Sequence, residues 1–169
     1  MTNERPEPWL SGTLGDVPAV ARAVLHALEL ARGDLWKWCA PLSDHQLNAC
    51  PADLAPVSFH LRHIARSLDR LLTYAEGDVL DERQLMSLGS ELDGAARHDE
   101  LFAELGAALD RSKRRVWALG EADLEAPRVV GRKNLPSTVG GLLVHVAEHT
   151  MRHVGQAITT AKLVRRGEL

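Results

Sequence analysis

The amino-acid sequence predicts an all-α protein, a four-helix bundle with one extra short helix. Leu, Ala and Val are abundant, and aromatic residues make up only 4% of the 169 residues. This composition favours helices over sheets. Apolar residues recur at helical intervals in four long segments, and no segment is convincing as a strand. The chain is long enough for one sizeable core and too short for two. We therefore expect a single domain over residues 16–169, after a flexible lead-in at residues 1–15.

The first half of the chain contains two of the long helices. The first is predicted between Asp16, which can cap it, and Pro41, which ends it. A turn-rich connection then leads to the second long helix, which is predicted from Pro56 to Gly77. A glycine at that place is typical of a helix C-terminus. The extra short helix follows, with Asp81 as its predicted N-cap.

The second half of the chain contains the other two long helices. The third is predicted over residues 95–119, where leucine and valine recur on one side. The next segment, GEADLEAPRVVGRKNLPS, carries Gly and two prolines and is predicted to be a long loop. The fourth long helix is predicted from Thr138 to Arg165. Four such helices are the number that packs around one core as a bundle.

Charge and targeting signals exclude several classes of protein. The formal net charge is −3, and acidic and basic residues are mixed along the chain, so neither a nucleic acid nor a membrane surface is an expected partner. No apolar run approaches the roughly 18 residues of a membrane span, and the first residues do not resemble a signal peptide. Cys39 and Cys50 show neither disulfide nor zinc spacing. These observations predict a soluble protein of the reducing cytoplasm.

Three histidines stand at intervals of four in the fourth helix, in the stretch HVAEHTMRHVGQ: His145, His149 and His153. At about 100° per residue they share one arc with Arg152 and Gln156, while the rest of the helix is apolar. Such a helix is usually buried in a bundle. Two histidines at i and i+4 can hold one transition-metal ion, but another ligand must come from a second helix. On geometry alone, any of the three histidines is a candidate.

The second long helix offers that further ligand in HLRHIARSLDRLL. His63 shares an arc with Arg66 and Arg70, opposite the apolar side, and His60 lies about 60° away, toward the edge of the arc. His63 is therefore the better-placed ligand and His60 the second choice. Spacing alone also fits histidines that bind no metal. If a metal binds, imidazole donors suit Zn, Ni, Fe or Cu.

The stretches HIARSLDRLLTYAEG and LLVHVAEHTMRHVGQA together resemble the DinB/YfiT-like superfamily of bacterial four-helix metalloproteins, over most of the chain. The resemblance implies one metal ligand on the second helix, His63, and two on the last, His149 and His153. His145 matches a position outside the usual ligand set. Arg152 departs from the pattern, because many relatives have a histidine there. The resemblance also implies a homodimer and bound nickel or zinc.

The same resemblance suggests a metal-dependent transferase that uses a low-molecular-weight bacterial thiol, such as bacillithiol or mycothiol. Around the three ligands, six residues are candidates to support them or to bind a thiol or an electrophile: His60, Arg66, Arg70, His145, Arg152 and Gln156. The arginines can clamp carboxylates, although each can equally pair with a nearby acid. Two alternatives remain open: a metal-dependent hydrolase, with Glu148 as a weak candidate base, and a metal-binding protein without catalysis.

Overall fold

The structure is a computed structural model, and it describes residues 6–91 and 96–167. Within these residues the chain forms α1 (Ala19–Trp38), α2 (Asp44–Asn48), α3 (Val57–Glu76), α4 (Glu82–Gly89), α5 (His98–Ala118), β1 (Pro127–Val130), β2 (Leu135–Thr138) and α6 (Val139–Arg165). The long helices α1, α3, α5 and α6 correspond to the four that the sequence predicts, and α4 to the extra short one. The predicted mostly-α fold is confirmed.

Helix ends follow local side-chain chemistry. Asp81 caps α4: its carboxylate accepts a hydrogen bond from the Gln84 amide at 2.7 Å, and the Gln84 side chain accepts one from the Asp81 amide. Thr138 caps α6 in the same way through the Gly141 amide. Gly77 ends α3 in the left-handed conformation, with φ of +93°. The Asp16 prediction is wrong, because α1 begins directly after Pro18 without a side-chain cap.

Two segments predicted to be irregular contain regular structure. The loop predicted before α6 contains an antiparallel β-hairpin, in which Pro127 pairs with Thr138 and Val130 with Leu135. Its tight connection includes Gly131 and Asn134, both with positive φ. The connection before α3 contains the short helix α2. The hairpin escaped prediction because its strands have four residues each, contain prolines and are half exposed.

The four long helices surround one apolar core. Helix α6 packs against α1 on one side and α3 on the other, while α5 packs against both α1 and α3. Leucines from every long helix are fully buried between them: Leu28, Leu35, Leu61, Leu68, Leu105, Leu109 and Leu143. Each such side chain contributes roughly 1.5–3 kcal/mol of burial energy. Because α3 and α6 are neighbours, their polar arcs meet. Of the helices described, none has the length and apolarity that crossing a bilayer requires.

Candidate metal centre

Three histidines converge where α3 meets α6. His63 of α3 and His149 and His153 of α6 each present one ring nitrogen, and these nitrogens all lie within 4.8 Å of one another. The Nε2 atoms of His63 and His149 are 2.9 Å apart. The ring of His153 lies 4.3 Å from the ring of His63 and 4.7 Å from that of His149, measured between centroids. The three histidines implied by the resemblance are thus placed to hold one metal ion.

The packing of the two helices explains this convergence. His149 and His153 are one helical turn apart, so both rings emerge on the same side of α6. On α3, the residues that flank His63 on the core side, Leu61 and Ile64, are fully buried. Their burial fixes the rotation of α3, and this rotation turns His63 toward α6.

His60 lies beside the three histidines. Its side chain is only 5% exposed, and its Nδ1 is 3.1 Å from Nδ1 of His153. The ring of Phe59 stacks on His63, with centroids 5.3 Å apart, and meets the ring of His60 edge-on. His60 therefore contacts one prospective ligand, and Phe59 gives the site an apolar wall.

A carboxylate that the sequence did not bring to attention completes the surroundings of His63. Glu91 accepts a hydrogen bond from Nδ1 of His63, with the Glu91 Oε2 atom 2.6 Å away. Its other oxygen lies 2.8 Å from Nη1 of Arg70, as a close ion pair. Glu91 and Arg70 are both 7% exposed. Metal-binding histidines usually donate their second N–H to a carboxylate or carbonyl in this manner.

Burial makes three imidazoles at this site hard to protonate, those of His60, His149 and His153. Burial, reinforced by the neighbouring histidines, lowers the pKa of His60 and of His149 to about 4. The pKa of His153 is lowered to about 4 by the same burial, with His63 and Arg152 adding to it. Burial alone would raise the pKa of Glu91, but its contacts with His63 and Arg70 outweigh burial and lower it. At neutral pH these three rings are uncharged, which is the form that binds a metal.

The arginines proposed as substrate ligands have different surroundings. Arg66 donates to Glu104 of α5 and to the Ser90 hydroxyl, both at 2.9 Å. Arg70 contacts Glu91. Arg152 pairs with Glu148 at 2.7 Å, one turn back along α6, and its side chain is 56% exposed. Each of these arginines therefore pairs with an acidic residue, which is the alternative to substrate binding that the sequence left open. The partner of Arg70, Glu91, follows α4 in the sequence.

The other two residues of the polar arc on α6 do not join the three histidines. His145 is directed to Glu148, with Nδ1 2.7 Å from a carboxylate oxygen, and its ring centroid is 5.3 Å from that of His149. Gln156 is exposed and lines a cleft of about 480 Å³ beside the cluster. The cleft is formed by two residues just before α3, by one residue of α3 and by residues of α6: Leu54, Ala55, His60, Arg152, Gly155, Gln156, Thr159 and Thr160.

The donor set fits a divalent transition metal. Three imidazole nitrogens suit zinc, nickel, iron or copper. Three protein ligands also leave coordination positions open for water or a small molecule, as in catalytic zinc sites.

Comparison with known proteins identifies the family of the chain. The chain matches the family model described as the DinB superfamily over residues 27–157. The matched range begins within α1, covers most of the chain and includes all three histidines. No curated protein matches the sequence at a significant level. On the strength of the family match, the chain belongs to the DinB superfamily.

Proposed function

We propose that the chain binds one divalent ion, nickel or zinc, through His63, His149 and His153. The observation that carries this proposal is the convergence of the three ring nitrogens within 4.8 Å. Two further features support it. The cluster resists protonation, since the pKa values of His149 and His153 are lowered to about 4. Glu91 also occupies the position that commonly orients a metal-bound histidine.

We further propose that the protein is a metal-dependent transferase that uses a low-molecular-weight bacterial thiol. A bound divalent ion lowers the pKa of a thiol or water that coordinates it, and so supplies a nucleophile near neutral pH. The cleft beside His60 has a volume of about 480 Å³, which is in the range of small-molecule sites. Arg152 and Gln156 line it, so a carboxylate and an amide of the thiol or of its acceptor have partners there.

The hydrolase alternative has less support. A hydrolase needs a base near the reacting water, and Glu148 was the nearest candidate by sequence. Its two carboxylate oxygens lie against His145 and Arg152, each at 2.7 Å. The hydrogen bond from His145 and the charge of Arg152 outweigh desolvation and lower the pKa of Glu148. A lowered pKa makes the carboxylate a weaker base.

Metal content and turnover test the two parts of the proposal separately. The chain is purified, loaded with nickel or zinc, dialysed and analysed by mass spectrometry, and we expect about one ion per chain. The loaded protein is then mixed with bacillithiol or mycothiol and an electrophile, and thiol consumption is followed. A second sample is loaded with cobalt(II), whose spectrum reports on coordination. If the nickel- or zinc-loaded chain consumes no thiol and the cobalt(II) spectrum does not change when a thiol is added, metal binding stands and the transferase proposal fails.

A homodimer is a further proposal, supported by the resemblance. Equilibrium sedimentation of the metal-loaded chain checks it directly, and we expect twice the monomer mass of 18.5 kDa. A single species at the monomer mass across the micromolar range would contradict it.

A further inference from the structure

We propose that Glu91, held in place by Arg70, is a positioning residue that fixes the ring of His63 with its hydrogen on Nδ1 and its lone pair on Nε2. The inference deepens the proposed function, since the lone pair so fixed is the one that would bind the metal. It concerns the metal-free protein as well, and this makes it testable separately from metal binding.

The first step is the hydrogen-bond chemistry of the two groups. An ionised carboxylate only accepts hydrogen bonds, and a neutral imidazole carries one N–H. With Nδ1 of His63 2.6 Å from Oε2 of Glu91, that N–H must be on Nδ1. The lone pair is then on Nε2, the atom that faces His149 at 2.9 Å. Without Glu91, the hydrogen of His63 is free to occupy Nε2, where it would block the site.

The second step concerns Arg70. Arg70 follows His63 by seven residues, two helical turns, so both side chains lie on the same side of α3. Its Nη1 atom is 2.8 Å from the Glu91 oxygen that His63 does not use. Each oxygen of the carboxylate therefore has its own cationic or N–H partner. This arrangement keeps Glu91 charged and holds its Oε2 toward His63.

The third step asks whether stability alone explains the buried pair. Removing an arginine and a carboxylate from water costs several kcal/mol per ion, and apolar residues of similar volume often replace such pairs without loss. A buried ion pair is therefore weak evidence for a stabilising role. Apolar residues cannot reproduce one feature of this pair, the carboxylate oxygen of Glu91 that accepts a hydrogen bond from His63. We infer that the pair serves the orientation of that ring.

Other hydrogen bonds hold the segment before Glu91 against α3, so that Glu91 can reach His63. The Gln84 side chain of α4 donates to Asp69 of α3 at 2.8 Å. Arg66 of α3 donates to the backbone carbonyl of Ser87 and to the hydroxyl of Ser90. These hydrogen bonds join the segment from α4 to Ser90 to the outer side of α3. Glu91 is the next residue, and it turns inward to His63.

The test uses a paired variant, Arg70→Met with Glu91→Leu, in the full chain. Apolar replacement of both partners avoids an unpaired buried charge, so we expect the variant to fold. The matched control is Arg115→Met with Glu76→Leu, which removes another ion pair of α3, 2.7 Å long, without a contact to Glu91 or to the histidine cluster. Circular dichroism verifies folding. If the paired variant unfolds, Arg70→Leu with Glu91→Val replaces it, because this smaller apolar pair relieves crowding and likewise offers Nδ1 of His63 no acceptor.

The first measurement is nitrogen-15 NMR of the metal-free protein at about pH 8, where ordinary imidazoles are neutral. The signals of His63 are assigned by their loss in His63→Gln. We expect the hydrogen on Nδ1 in the wild type and the control, and on Nε2, or shared between both nitrogens, in the paired variant. The same tautomer in the paired variant as in the wild type would overturn the proposal.

The second measurement is zinc affinity, determined by competition with a chromophoric chelator. We expect a loss of about 10- to 100-fold in the paired variant and a change within about threefold in the control. A wild type that binds zinc and a paired variant that binds it equally tightly would also overturn the inference. If the wild type binds no zinc, the proposed function fails, while the NMR result still decides whether Glu91 sets the tautomer.

Discussion

Helix α3 carries two polar clusters that differ in one respect. Toward α5, Arg115 reaches between two acids of α3: its guanidinium donates to Asp69 at 2.8 Å and to Glu76 at 2.7 Å, and it also contacts the Thr73 hydroxyl. Toward α6, imidazoles face one another. The first cluster matches cationic donors with anionic acceptors. The second cluster gathers several imidazole nitrogens, and the lone pair of each needs a hydrogen-bond donor or a metal ion as its partner.

The difference separates a polar cluster that stabilises the fold from one that is arranged for a ligand. The Arg115 cluster is complete in itself, because the guanidinium donates hydrogen bonds to both carboxylates. The histidine cluster resists protons, with pKa values near 4 for His60, His149 and His153. Buried polar groups that lack complementary partners cost free energy. A divalent cation that accepts several lone pairs at once would remove that cost, which is why we propose metal binding here.

The largest expected effect is the loss of metal after removal of one ligand. In His63→Ala, His149→Ala or His153→Ala, two imidazoles remain, and we expect nickel or zinc affinity to fall at least about 100-fold. Metal content after dialysis, measured by mass spectrometry, checks this. Arg115→Met is the matched control from the other cluster and should retain its metal. Unchanged metal content in all three alanine variants would show that the site is misassigned.

The second effect is the pH dependence of the metal-free fold. His60, His149 and His153 have folded pKa values of about 4, below the ordinary 6.5, so the unfolded chain binds more protons between these values. The stability contribution is therefore complete above about pH 6.5, decreases as the pH falls and levels off below about 4. For the buried His60 alone the loss amounts to at most about 3 kcal/mol.

Urea unfolding of the metal-free chain between about pH 7.5 and pH 4.5 measures this dependence. Groups elsewhere in the chain also contribute to the pH dependence of stability, so the comparison is with His60→Leu. We expect the variant to lose less stability than the wild type over this interval. Equal losses in the two proteins would contradict the lowered pKa of His60.

A smaller effect is expected when the Arg115 cluster is broken. Arg115→Met leaves Asp69 and Glu76 as neighbouring negative charges without their shared cation. The side chains are partly exposed, so solvent screening limits the cost to about 1–2 kcal/mol in the free energy of unfolding. Denaturant unfolding measures it, and zinc affinity should stay unchanged. A large loss of zinc affinity would mean that the two clusters are coupled, contrary to their proposed separation.

The smallest effect is expected from His145→Ala. This ring hydrogen-bonds to Glu148 at 2.7 Å on the exposed side of α6, and its centroid lies 5.3 Å from that of the His149 ring. We expect zinc affinity to change by less than about threefold. A loss as large as that of His149→Ala would make His145 a ligand and enlarge the site beyond the three histidines.

The sequence predicts much of the fold because the long helices contain apolar repeats that extend over many residues. Apolar residues repeat over about 20 positions in α1 and α3, and the N-cap at Asp81 and the glycine at Gly77 mark boundaries chemically. The strands of the hairpin offer four residues each, too few for an alternating pattern to stand out. Helix α2, with five residues, is equally short.

The candidate site also has a part that the sequence predicts and a part that it does not. Helical spacing marks His145, His149 and His153 alike and favours His63 over His60 on α3. The resemblance, now supported by the family match, implies His63, His149 and His153 as the ligands. Glu91 follows the short helix α4, where no periodicity connects it with His63, and its partner Arg70 had only Asp69 as a sequence neighbour of opposite charge. Contacts that depend on the path of a loop need tertiary structure. The inward turn at Glu91 is such a contact.

The most direct test of the central claim is X-ray absorption spectroscopy of the zinc-loaded chain, beside its His63→Ala variant. The account predicts one ion per chain whose first shell contains three imidazole nitrogens at about 2.0–2.1 Å, together with oxygen ligands from solvent. The His63→Ala variant should retain no stoichiometric zinc after dialysis. A wild-type shell without histidine, or one that is unchanged in the variant, would contradict the account.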